Sequence, residues 1–221
     1  LGDLKPASGL KGTFLALRDV IEYLYELGVA TVVIGGSQDL TTGICEAFKN
    51  NRFFSLTAVD AILDIKKGVE TFHSGNYLTR IFKQLPNLFR FSLTGYQNHL
   101  VGEKLINKTP VIAEHLRLGV LRTNFLVAEP MMRNTDVLSF DMGALKFSEA
   151  PGTPQQNPNG LRGEEACQLS RYAGTSDRIK VFGLFETTPE NDRQGTTVKL
   201  AAEIIWYFLE GCVIRKREAG F

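Results

Sequence analysis

Apolar positions along the 221-residue chain keep two rhythms, one helical and one of strands. In "TFLALRDVIEYLYELG" (13–28), Leu17, Val20, Ile21, Leu24 and Leu27 recur at helical spacing, and Gly28 stops the run. "TVVIGG" (31–36) follows as a continuous apolar strand ended by two glycines. Ser37 or Asp39 then caps a helix running to about Lys49. The same pattern predicts strands at 53–61, 88–96, 136–142 and 179–186. It predicts helices at 77–85, near 110–118 and 125–133, at 162–173 and at 195–211. In the last of these, Val198, Ala202, Ile205 and Leu209 face the core. A Pro-, Gly- and Asn-rich loop, "APGTPQQNPNGL" (150–161), is either a surface connection or a segment on the substrate side.

Strands separated by helices predict an α/β fold: a three-layer α/β/α sandwich around a mainly parallel sheet. The length suits one domain over 1–221, and the opening on Leu1 implies an N-terminal part beyond it. In such sheets, ligands bind beyond the carboxyl ends of the strands. A formal charge of +1 argues against a nucleic-acid partner. No apolar run approaches the ~18 residues of a membrane span. Cys45, Cys167 and Cys212 are widely spaced, as reduced thiols of a cytoplasmic protein are.

Carboxylates gather where the predicted strands end. They are Asp39 after the first strand, Asp60 and Asp64 after the second, Asp141 after the fourth and Glu186 after the fifth. Each alone is explained as a cap or a solvated loop acid, but together they repel one another and call for a cation or a basic partner. Lys146 offers an ammonium near Asp141, although a solvent-facing lysine is the simpler reading.

Four segments, "GGSQDL", "VDAILD", "SFDMGAL" and "GLFETTPENDRQGTTVKLAAEII", resemble in order and spacing the motifs of the ureohydrolase superfamily. These motifs are GGDHS, DAHxD, SxDxDxxDP and a later E-x-x-P segment, and the chain is most similar to the formimidoylglutamase branch. The resemblance implies an arginase-like fold with two Mn²⁺ ions, which bridge a hydroxide that attacks a guanidinium or amidine carbon. Residue by residue, it keeps the metal ligands Asp60, Asp64 and Asp141. The histidine of GGDHS falls on Gln38, that of DAHxD on Ile62, and the second aspartate of SxDxD on Gly143.

In the family, one ion uses the positions of Gln38 and Asp64 beside the bridging Asp60 and Asp141. The other uses those of Ile62 and Gly143. The resemblance therefore implies at most one divalent cation, Mn²⁺ or Mg²⁺, on Gln38, Asp60, Asp64 and Asp141, and no two-manganese cluster. Asp141 is the candidate catalytic residue. Ser74 and Asn76 of "HSGNYL" match the residues that hold the substrate's α-carboxylate, and Glu186 matches the glutamate that grips its amidine. The proton-shuttling histidine falls on Leu78. His73, in a loop, is expected as a solvated imidazole, and His99 and His115 stand in no motif.

The function expected on these grounds is that of a hydrolase of linear amidines by descent, inactive or altered. An active metal-dependent formimidoylglutamase-like enzyme and a non-catalytic oligomeric binding or regulatory subunit remain as alternatives. The partners implied are a small amidine or amino-acid-like ligand and further copies of the chain.

Overall fold

The computed structural model describes every residue except 1, 6–8, 51–52, 67–70, 107–108, 110 and 219–221. In chain order the elements begin with α1 (Leu10–Glu26), β1 (Thr31–Ile34), α2 (Thr41–Glu46), β2 (Phe54–Val59), α3 (Tyr77–Gln84), β3 (Leu88–Tyr96) and α4 (Glu103–Ile106). They continue with β4 (Ile112–Arg117), α5 (Leu118–Thr123), α6 (Glu129–Arg133), β5 (Val137–Asp141), α7 (Gly163–Gly174), β6 (Val181–Phe185) and α8 (Thr196–Glu218). The strands lie in the order β1-β6-β5-β2-β3-β4, and every pairing is parallel.

Alternation along the strands sorts side chains between two apolar clusters. Phe54, Leu56 and Ala58 of β2, Val137 of β5 and Val181 of β6 pack with α1, α2 and α3. Leu138, Phe140, Phe182 and Leu184 pack on the other face with α5 to α8. The sheet is thus covered on both sides, and the three-layer α/β/α architecture expected from the sequence is the one observed. The period of two then places Ser139, Asp141 and Asp60 on the face of α1 to α3, where Val137 and Ala58 also point.

Three sequence-based expectations change, at β4, α1 and α8. Residues 112–117 form the edge strand β4 and not a helix, and residue 110 lies outside the described residues. "IAEHLR" is rich in helix formers, yet backbone pairing with β3 and an Arg90–Glu114 ion pair at 3.8 Å hold it extended. β1 is an edge strand as well: it pairs only with β6, and Ile34 stands in solvent. On α1, Phe14, Leu17, Ile21 and Leu24 are buried while Val20 and Leu27 are exposed.

On α8 the buried stripe is Ala201, Ile204 and Phe208. Val198, Ala202 and Leu209 are exposed, and Ile205 is half-buried. Small residues decide this face. A Cβ on Gly174 of α7 would strike the Phe208 carbonyl, and one on Gly211 the Arg171 carbonyl, so α7 and α8 meet backbone to backbone there. Cys45 and Cys167 are buried and Cys212 half-buried, all as free thiols. The basic terminal stretch 215–221 is described only to residue 218.

Candidate functional site

β1 leaves the sheet through Gly35 and Gly36, both at positive φ (92° and 71°), which only glycine adopts without strain. The turn delivers Gln38 inward, where it is 1% exposed. Its backbone N–H donates to Glu186 Oε1 at 2.7 Å, and its Nε2 donates to Ser139 Oγ at 3.3 Å. Thr41 Oγ1 lies 2.7 Å from the same Ser139 hydroxyl. The Gln38 side-chain oxygen is buried without a hydrogen-bond partner. Neither Ser37 nor Asp39 caps a helix: Ser37 Oγ donates to the buried Asp39 carboxylate instead. Glu186, directly after β6, holds φ at 61°, a left-handed value that a non-glycine residue keeps only when its surroundings impose it.

Asp60, Asp64 and Asp141 are each less than 5% exposed. Burial first, and the neighbouring Asp64 charge second, hold the Asp60 carboxyl well above the usual range. Burial likewise lifts Asp64 to about 7, with Asp141 and Glu186 adding repulsion and Lys66 opposing it. Asp141 is raised by burial and by the charges of Asp60 and Glu186. The four acids therefore act on one another across one small volume at the carboxyl ends of β2, β5 and β6. The two neighbouring carboxyls act on each other, Asp64 helping to raise Asp60 and Asp60 opposing the rise of Asp64. Tyr77, the first residue of α3, is fully buried, and its hydroxyl is pushed up by burial and by Asp64 and Asp60.

Positions 62 and 143, expected from the motifs to stand where a second ion's ligands would, make other contacts. Ile62 packs into the apolar cluster of α1 to α3, and its N–H donates to Asp60 Oδ1 at 2.9 Å. At Gly143, a Cβ would collide with the side-chain oxygen of Gln155 and would lie 2.9 Å from Asp141 Oδ1. Gln155 Nε2 donates to Asp141 Oδ2 at 3.3 Å, and the Gly143 N–H donates to Asp141 Oδ1 at 2.5 Å. Both oxygens of Asp141 thus accept from N–H donors. Among the described residues, no group of three or more His, Cys, Asp or Glu side chains is set to hold a metal ion.

The substrate-side residues lie close by. The turn Ser74–Asn76 packs against the turn Gln38–Leu40. Asn76, however, spends its side chain locally: Oδ1 accepts from the His73 N–H at 3.0 Å, and Nδ2 donates to the Thr71 carbonyl at 2.9 Å. His73 is no solvated imidazole, since its Nδ1 accepts from the Gly75 N–H at 3.1 Å. The cation acting on Asp64 is Lys66; Lys146 is not among the charges that shift Asp141. Sequence reasoning missed Tyr77, Lys66 and Gln155. Only for Gln155 was there a signal, in the length and composition of the loop that carries it. A cavity of about 660 Å³ runs between α1 and α3, past Arg18, Glu46 and Arg80, and includes none of the rim acids.

The sequence profile of the arginase family matches residues 1–210. The chain belongs to the arginase family. Curated relatives within the family include the formimidoylglutamase of Lysinibacillus sphaericus, 23% identical over 203 residues, which are 86% of this chain and 63% of that protein. The formimidoylglutamase of Halobacterium salinarum is 27% identical over 229 residues, covering 96% of this chain and 72% of its own length. The chain thus spans about three fifths to three quarters of the length of these relatives.

Among solved structures, Trypanosoma cruzi formiminoglutamase with Mn²⁺₂ superposes with a TM-score of 0.88 at 21% identity, over 95% of this chain and 74% of that one. The agmatine ureohydrolase of Thermoplasma volcanium superposes with a TM-score of 0.76 at 18% identity, over 100% and 74%. These likenesses establish the arginase fold. The curated relatives matched within the family are formimidoylglutamases. No described helix is long and apolar enough to cross a membrane.

Proposed function

We propose that this chain is a formimidoylglutamase-like member of the arginase family in which the dinuclear centre is not assembled. The rim keeps at most one divalent cation, Mn²⁺ or Mg²⁺, on Asp60, Asp64 and Asp141 with the Gln38 amide oxygen, and hydrolysis of linear amidines is lost or altered. The ligand is a small amidine or amino-acid-like molecule whose cationic end meets Glu186, the rim acid with a strained backbone and partial exposure.

The observation that carries this reading is the side chain at position 62. Where the family motif has an imidazole, an isoleucine turns into the apolar cluster behind the rim. An aliphatic side chain offers no lone pair, so one ion loses its ligand whatever the other residues do.

The test is to load the protein with Mn²⁺, incubate it separately with formimidoylglutamate, agmatine and arginine, and assay formamide or urea. Product at the level of the Mn²⁺ blank is expected for all three. Manganese-dependent turnover at an ordinary enzymic rate, about 1 s⁻¹ or faster, overturns the proposal.

A further inference from the structure

We infer that the Gln155 carboxamide, carried in by the loop 150–161, closes the position of the second ion: it fills the space over Gly143 and ties up Asp141. This rests on the reading that the rim descends from a two-metal site. The two residues form a matched pair. Gly143 leaves room for the amide because it has no Cβ, and a Cβ there would meet the Gln155 carboxamide and push it from Asp141. The nitrogen end of the carboxamide faces Asp141 Oδ2, where an ion would otherwise be the counter-charge. Its oxygen end is buried without a hydrogen-bond partner.

The loop is pinned on both sides of this residue. Gly152 N–H donates to Thr197 Oγ1 at 2.7 Å, Thr188 N–H donates to the Gly152 carbonyl at 2.7 Å, and Asn157 Nδ2 donates to the Gly143 carbonyl at 3.1 Å. Further along, Phe147 N–H donates to the Asn157 carbonyl at 2.7 Å. Gln156 keeps φ at 47°, so the backbone beside Gln155 is itself held by its surroundings. These bonds hold the backbone that presents Gln155 beside Asp141. While the Gln155 carboxamide stays bound to Asp141, restoring ligands at 62 and 143 is expected not to rebuild the site.

The experiment compares Mn²⁺ content and the electron paramagnetic resonance signal of the parent chain, I62H/G143D and I62H/G143D/Q155A. The doubly substituted chain is expected to hold no more than one ion, with the signal of isolated Mn²⁺. The triply substituted chain is expected to gain a second ion and an exchange-coupled signal. Two ions in the double variant, or no gain in the triple, overturn the inference. Two ions in the parent chain instead overturn the proposal on which it rests.

A metal-free cycle gives an independent reading if the histidine and aspartate variants do not fold. Gly143→Ala is expected to raise the unfolding equilibrium constant more with Gln155 present than beside Gln155→Ala, as contacting residues do. Equal effects of Gly143→Ala in both backgrounds overturn the matched pair.

Discussion

Replacing Asp64 by asparagine isolates the electrostatic cost of the buried rim. Asp64 is 4% exposed, and its carboxyl is lifted from 3.8 to about 7, mainly by burial. A carboxyl with a raised native pKa holds its proton more tightly folded than unfolded. Its contribution to stability is therefore complete below about pH 4 and is lost as pH rises toward 7. A shift of about three units corresponds to roughly 4 kcal/mol at most, at about 1.4 kcal/mol per unit. Asparagine never ionises. In EDTA, urea unfolding of the parent chain should show stability falling by at least about 2 kcal/mol between pH 5 and pH 8, with the buried Asp60 and Asp141 adding to the Asp64 share. Asp64→Asn should make that slope shallower, leaving the part due to Asp60 and Asp141, and be the more stable protein at pH 8. A parent stability that is level or rises over this interval, or a variant less stable at pH 8, would refute the electrostatic reasoning.

Two further outcomes follow from packing. Phe208 is 2% exposed and its neighbour Leu209 is 50% exposed. Chemical denaturation should show Phe208→Ala losing about 3–5 kcal/mol and Leu209→Ala changing stability by less than about 0.5 kcal/mol; the reverse order would mean that α8 buries its other face. Gly174→Ala gains about 1 kcal/mol of helix propensity, but its methyl group meets the Phe208 carbonyl and, at 3.1 Å, the Cys212 nitrogen. A net loss of about 1–3 kcal/mol is expected by the same assay, and a gain would show that α7 and α8 are not in backbone contact.

The central strands were legible because each is a short apolar run bounded by turn residues, and the rim acids because they directly follow those runs. β4 was hidden because Ala113, Glu114 and Leu116 favour a helix when read alone, and only the edge of β3 makes them a strand. The orientation of α8 was hidden for a different reason. "LAAEIIWYFLEG" is apolar nearly all round, so its periodicity allows two stripes, and the choice falls to Gly174 on another helix. At the site, Asp60, Asp64, Asp141 and Gln38 stood in motifs with fixed spacing. Asn76 also stood in one, yet its side chain is bound within its own turn. Gln155 stood in none, because a loop residue reaches the rim only through the fold of the loop, which no spacing rule encodes.

The claim that this rim cannot assemble a metal pair is tested most directly by counting ions. After incubation with excess Mn²⁺ and removal of the unbound metal, elemental analysis should find at most one manganese per chain. Two per chain, or a crystal structure with two manganese atoms roughly 3.5–4 Å apart between Asp60 and Asp141, would contradict it.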